Sequence, residues 1–367
     1  MSRLCHRKII FLCLLLAFFF PLSLGAWILW VPPSNIALTK VIFIKRGMHL
    51  REISGLLQDE GVVRSRYAFV LLAAILGKSA KIKAGEYEFE PGVPLLRVLD
   101  TLASGQVKEH LITIPEGYTL ARIAQLLAEQ NISDKQQFLE RASSPMLIAS
   151  LRLSSAIVGP RLTLEGYLFP ETYHLYRDMD PEEVIRLMVN QFKKVFDPDM
   201  ARQTALLGMS EREVVILASI IEKETALPEE KPLISAVFHN RLSRGMPLQS
   251  DPTVIYGIED GGTIENRGRI ENGSRSLTKE ELLRPTPYNS YLRPGLPPSP
   301  ICSPGRDSLV AAIHLAPVSY LYFVSRNNGS HFFSSTYEDH TRAVWKYQKT
   351  GKRKMQGSGL DKKMKVR

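Results

Sequence analysis

The hydrophobic positions of this chain fall into three patterns. From Ile9 to Val31 they run with no charge over 23 positions, with Trp27 and Trp30 near the end. That length predicts a membrane-spanning helix with interfacial tryptophans, the basic segment 1–8 staying in the cytoplasm. The run is too long for a cleaved signal peptide, and no clear A-x-A site follows it. Beyond it the pattern becomes short and repeats. VIFIKRGMHLREISGLLQDEGVV, from Val41, aligns with LITIPEGYTLARIAQLLAEQNIS at an offset of 70, pairing Gly47 with Gly117, Leu50 with Leu120 and Ile53 with Ile123. Each copy reads as strand, glycine turn and amphipathic helix, and AGEYEFEPG and LLRVLDTLASG between them add a strand and a helix. Units this small bury little alone, so the copies are expected to pack with the segment between them.

The third pattern is helical and strongly apolar. Ser210 and Glu213 match a capping box, and Val214, Leu217, Ala218 and Ile221 follow the spacing of a buried face, which Val215, Ile216 and Ile220 widen almost all round. Glu222, Lys223, Glu224 and Thr225 close this helix before Pro228. A second helix is expected from about Glu229 to Arg244, with Gly245 beyond its end. Around this pair, Ser133 and Gln136 suggest a capping box for a helix to Arg141, and Tyr167, Phe169 and Tyr173 alternate as in a half-buried strand with core rings. A helix follows Asp180-Pro181 through Phe196, and a short one is capped by Thr278 and Glu281 in a polar excursion from Glu259 to Arg284. An Ala-rich helix near Leu309–Leu315, a strand Tyr320–Val324 and HFFSS complete an α+β chain.

Candidate chemistry concentrates after the apolar helix. A carboxyl in its last turn lies near the negative end of the helix dipole, and Glu222 shares a stripe with Val215 and Ala218. Both features raise the pKa of a partly desolvated carboxyl, as a general acid requires. Spacing alone does not choose between Glu222 and Glu224. Asn240 sits on the stripe of Leu233, Ala236 and Val237 and needs a partner, either a neighbouring backbone or a substrate hydroxyl or acetamide. Gln249, Ser250, Asp251 and Thr253 are the short polar groups from which sugar sites are built. Asn289 and Tyr291, beside the rigid PGLPPSP, are further candidates for glycan contacts. Glu165 and Glu171 are the other acids near a plausible site.

Charge and cysteines narrow the picture. Of the net charge of +10, Arg3, Arg7 and Lys8 supply +3 and the segment 349–367, eight Lys or Arg against Asp361, supplies +7, leaving 9–348 neutral. No basic face is therefore expected to follow phosphates, which argues against nucleic acid. The basic tail reads as disordered. Cys5, Cys13 and Cys302 make no disulfide framework, and without C-x-x-C or H-x-x-x-H no metal or other cofactor is expected.

ASIIEKET, FHNRL, LQSDPTVIYG, PYNSYLRPGLPPSPI and YLYFV, in this order, resemble the signature blocks of the membrane-bound endolytic murein transglycosylases, the MltG or YceG-like family, across about Val41 to Tyr347. His239, Ser250 and the basic tail depart from the family pattern. The resemblance implies that the first Glu of EKE, Glu222, is the catalytic acid. It implies an endolytic lytic transglycosylase that cuts the MurNAc-GlcNAc bond of nascent peptidoglycan strands, leaves 1,6-anhydroMurNAc ends and so limits strand length. Asn240, Gln249, Asp251, Thr253, Asn289 and Tyr291 would contact the glycan. The expected organisation is a cytoplasmic segment 1–8, a membrane helix 9–31, a LysM-like subdomain 38–110, a second βα repeat with connecting helix 111–155, a mixed α/β catalytic domain with a glycan cleft 156–348, and the tail 349–367. The enzyme would be single-pass in the cell's inner membrane with its catalytic domain outside the cytoplasm, and cell-wall synthases are candidate partners. The reading from a different class is a non-catalytic glycan-binding scaffold for those synthases.

Overall fold

The structure, a computed structural model, describes residues 38–153, 162–259 and 277–349. The expected membrane helix at 9–31 and nearly all of the basic tail lie outside these residues. Among the described residues no helix is long and apolar enough to cross a membrane. The elements are a mixture of helices and small antiparallel or paired strands, which fits the expected α+β class, and they divide into two compact units.

One unit comprises the chain up to Ile112 with Ala128–Asp134 and Tyr173–Asp180. In it β1 (Lys40–Ile44) is followed by α1 (Leu50–Asp59), α2 (Arg66–Ile75), β2 (Gly85–Phe89), α3 (Leu95–Ser104) and β3 (Glu109–Thr113). The strands β1 and β2 pair antiparallel, with Ile42 opposite Tyr87 and Lys40 opposite Phe89. Their alternate residues Ile42, Ile44, Tyr87 and Phe89 point inward and meet Ile53 and Leu57 of α1, Phe69 and Ala73 of α2, and Val98, Leu99 and Leu102 of α3 in one core. The first repeat copy therefore packs with the segment that follows it, as period-2 strands and period-3.6 helices require. Tyr87, buried, donates its hydroxyl to the carbonyl of Lys83 at 2.8 Å, so its polar tip is satisfied.

The second unit comprises Thr113–Leu127, Lys135–Thr172 and the chain from Pro181. The second repeat copy is again strand and helix, β3 followed by α4 (Leu120–Glu129), with residues 113–127 belonging to this unit. Next come α5 (Lys135–Ala142), α6 (Pro145–Ser150), α7 (Pro181–Val195) and α8 (Pro198–Leu206); β4 (Thr172–Tyr176), which pairs with β3, lies between α6 and α7 in the chain and belongs from Tyr173 on to the first unit. Two local expectations change here. The box expected between Ser133 and Gln136 does not form: α5 starts at Lys135, the Ser133 hydroxyl is buried without a partner, and the Gln136 amide donates to Glu140 one turn on. Residues 165–168 form a turn, not a strand, yet Tyr167, Phe169 and Tyr173 are all buried core rings.

The centre of this unit is α9 (Glu211–Glu224), whose residues Val214 to Ile221 are all buried. The capping box forms as expected, the Ser210 hydroxyl accepting from the Glu213 amide and the Glu213 carboxylate accepting from that of Ser210 at 2.8 Å. A 3-10 turn (Pro228–Glu230) leads into α10 (Lys231–Ser243), then α11 (Asp251–Glu259), the short α12 (Lys279–Leu282), α13 (Arg306–Ile313), the hairpin β5 (Tyr322–Ser325) and β6 (His331–Ser334), and α14 (Tyr337–Val344). Ser219, mid-helix and fully buried, accepts from the amide of Ile301 at 3.0 Å, and Cys302 donates its thiol to the Ser219 carbonyl at 3.3 Å. These bonds fix the 301–302 segment along α9. Cys302 is thus a buried packing residue, and burial pushes its thiol pKa well up. Because α9 is framed by its cap, Ser210→Ala is expected to cost about 1 kcal/mol of unfolding free energy, read as a lower denaturant midpoint at unchanged slope.

Candidate active site

Glu222 and Glu224 stand two residues apart, about 200° around the helix, and so meet different surroundings. Glu222 is half-buried. Its Oε2 accepts from the backbone amide of Gly305 at 3.0 Å, from the Ser308 hydroxyl at 2.6 Å and from the Lys231 ammonium at 3.3 Å. Gly305 is the N-cap of α13, so this carboxyl occupies the positive end of that helix. Lys231, itself buried, also reaches Glu116 at 3.9 Å. The Glu116 carboxyl lies against Gly305 so closely that a Cβ there would meet its Oε1 at 1.9 Å. Desolvation, and next the charge on Glu222, raise the pKa of Glu116. Glu222 is thus the acceptor in a closed group of donors joining α9, α10, α13 and the turn of the second repeat copy.

Glu224 faces the other way. Ser250 donates its hydroxyl to Oε1, and burial pushes the carboxyl pKa up to about 7, against the hydrogen bond from Ser250 and with the charge of Asp251 adding to the rise. Asp251 begins α11 and is exposed; its Oδ1 accepts from the Tyr291 hydroxyl at 2.6 Å. Burial, and then that hydrogen bond to a carboxylate, hold the Tyr291 phenol well above its usual range. Arg241 underlies the group. Its buried guanidinium donates to the carbonyls of Leu321 and Leu248, both at 2.7 Å, and to Gln249 Oε1 at 3.4 Å. It thereby pins the turn in which Gln249 adopts φ 52°, and the next residue, Ser250, is delivered to Glu224. Burial lowers the pKa of Arg241 from its very high ordinary value.

The structure brings Gln249, Asp251, Thr253, Asn289 and Tyr291 together, in two layers. Gln249, Asp251 and Tyr291 keep exposed or half-exposed surface. Thr253 and Asn289 are fully buried beneath them: the Thr253 hydroxyl meets Ser290 Oγ at 2.8 Å, and the Asn289 amide donates to Leu282 and Arg284 carbonyls, both at 2.9 Å, while its oxygen accepts from the Tyr291 amide. Asn240 takes the backbone alternative, donating to the carbonyls of Val318 and Tyr320 at 2.9 Å each. These three side chains hold the loop that carries Tyr291 and the approach to β5. Glu165 is spent on the α4 amide of Leu120 and on Tyr256. A cavity of about 1190 Å³, lined by Phe196, Thr204, Ser210, His239 and Pro298 among others, lies at the opposite end of α9 and includes neither glutamate.

Sequence reasoning named Glu224 without choosing it and passed over Arg241, Lys231 and Glu116. The signal for Arg241 was present: an arginine one residue from Asn240, inside a helix that is otherwise largely buried. Lys231 and Glu116 meet only through tertiary contact and carried none.

The model of the YceG-like family matches residues 42–346. The chain is 30% identical over 320 residues to the endolytic murein transglycosylase of Bacillus subtilis, covering 83% of this chain and 84% of that one. It is 31% identical over 324 residues to the enzyme of the same description from Streptococcus pneumoniae strain D39, of whose length 57% is covered. A crystal structure of a yceG-like protein from Listeria monocytogenes superposes with a TM-score of 0.55 at 30% identity, covering 83% of this chain and 99% of that one.

A buried carboxyl with a raised pKa destabilises the fold once it ionises. The folded chain binds this proton more tightly than the unfolded one, so stability falls as pH rises between the ordinary value of 4.5 and about 7. Glu224→Gln is expected to be more stable than wild type by about 1–2 kcal/mol at pH 8 after allowing for the side chain's partial exposure. The difference should vanish below pH 4.5, as read by thermal unfolding at both pH values.

Proposed function

The chain belongs to the YceG-like family, and on that premise we propose that it is an endolytic murein transglycosylase with Glu224 as its general acid. The observation that carries this is the placement of the Glu224 carboxyl: it is half-buried and accepts from Ser250, next to the exposed Asp251 that is bonded to Tyr291, and desolvation raises its pKa in the direction a general acid needs. Glu222, the acid the resemblance implied, is instead surrounded by donors. A carboxyl accepting from an ammonium, a hydroxyl and the amide at a helix N-terminus ties α9 to α10 and α13.

The reaction follows from these roles. Glu224 gives its proton to the oxygen bridging MurNAc and GlcNAc as that bond breaks, leaving positive charge on the anomeric carbon. The C6 hydroxyl of the same muramic acid attacks that carbon and passes its proton to the Glu224 carboxylate, which restores the acid and leaves a 1,6-anhydro end. Because the nucleophile belongs to the substrate, no second carboxylate need attack or activate water, as a hydrolase requires. The ring closure is intramolecular, with the effective-molarity advantage that follows. Asp251, with Tyr291 hydrogen bonded to it, would face the developing positive charge, and Gln249 would orient the sugar. Asn240, Thr253 and Asn289 act beneath this surface as supports.

The apolar run 9–31 anchors the chain in the membrane with the catalytic unit outside the cytoplasm, the βα unit near it is LysM-like and binds glycan, and synthases that extrude nascent strands are the partners.

With the full chain acting on uncrosslinked glycan strands, mass analysis should show anhydro ends. Water-added reducing ends would reject the transglycosylase reading. Glu224→Gln is expected to lose about 10²–10⁴-fold in rate while keeping its fold. A dead Glu222→Gln of native stability beside an active Glu224→Gln would return the acid to Glu222. Since the protonated form acts, kcat/KM should fall as pH rises through about 7.

A further inference from the structure

The helix α2 buries only one side. Phe69 and Ala73 enter the core, whereas Tyr67, Leu71 and Ile75, four residues apart in one row, are 72%, 62% and 71% exposed, with the C-cap Leu76, 43% exposed, beside the end of the row. Single exposed aliphatics are ordinary on soluble proteins. A continuous aromatic and aliphatic row along a ten-residue helix is the surface by which a helix lies in a lipid interface.

Charge points to the same occupant. Between Glu60 and Glu86 the sequence holds no acid and five bases: Arg64 and Arg66 before the row, Lys78, Lys81 and Lys83 after it. Asp59 lies within electrostatic reach of Arg66 and Asp100 pairs with Lys78, while Lys81 and Lys83 are exposed. An apolar row with bases at both ends matches acyl chains flanked by anionic headgroups. The chain length agrees: β1 begins nine residues after Val31, a tether of about 30 Å at full extension, comparable to the diameter of a unit this size. A tether this short holds the unit at high effective concentration against the bilayer, so a modest surface suffices.

We propose that the outer face of α2 docks this unit onto the surface of a bilayer containing anionic lipid. The inference rests on the reading of 9–31 as a membrane anchor and adds a second, peripheral contact that fixes the unit's orientation.

The test uses the full chain in vesicles of phosphatidylcholine and phosphatidylglycerol. A nitroxide is placed at Leu71→Cys with Cys5 and Cys13 changed to Ser, or at Arg202→Cys, an exposed position on α8, as control. Its collisions with oxygen, which enters lipid, are compared with those of a water-soluble nickel chelate. A label on the native Cys13, with Cys5 changed to Ser, reports the anchor. The expected result is a severalfold higher oxygen-to-nickel ratio at position 71 than at 202, falling when phosphatidylglycerol is omitted. Equal ratios at 71 and 202 with Cys13 shielded would overturn the docking and leave the anchor standing. A water-exposed Cys13 would overturn the anchor, and docking would then be judged by position 71 alone. Dipolar broadening between labels at 71 on two chains would mean that a second copy covers the face, which also overturns the proposal.

Discussion

Burial of carboxyls at the end of an apolar helix is the constraint on which the site depends. The helix α9 is covered on all sides from Val214 to Ile221, so its last turn leaves a buried segment with Glu222 and Glu224 half-buried and Lys223 exposed. Two glutamates there must each find compensation, because an ionised carboxylate without partners is costly to desolvate. Glu222 finds it in an ammonium, a hydroxyl and the first amide of α13. Glu224 finds a single hydroxyl and an adjacent acid, and responds by holding its proton. Two carboxyls on one turn thereby meet different surroundings, and that difference supports the proposal of Glu224 as the acid.

Much of the surrounding structure serves that separation. Lys231, at the first position of α10, gives Glu222 its cation, and the turn of the second repeat copy brings Glu116 against the same nitrogen. Gly305 leaves room for the Glu116 carboxyl, and a Cβ there would meet its Oε1 at 1.9 Å and displace that half-exposed side chain from Lys231. On the other side, Arg241 spends its donors on backbone carbonyls and so fixes the turn that presents Ser250. Thr253 then binds that turn to the Tyr291 loop, and Asn289 ties the loop to the end of α12. The proposed site thus rests on groups beneath its surface, as preorganised sites require.

The sequence by itself determined the local elements. The period of the apolar residues placed α9 and its cap, the two βα copies and the class, because these depend on neighbours within a few positions. It also delivered the family and the short list of polar groups. It misjudged the Ser133 cap and, in the strand expected through Tyr167, Phe169 and Tyr173, the part before Thr172, where tertiary packing overrode local preference. Which glutamate carries a raised pKa, and which of Asn240, Thr253, Asn289, Gln249, Asp251 and Tyr291 remain open to a ligand, only the tertiary structure decided. Desolvation and hydrogen-bond partners come from residues as distant in sequence as Glu116 and Ser308, and no spacing along a chain records what a side chain will face once the helices have packed.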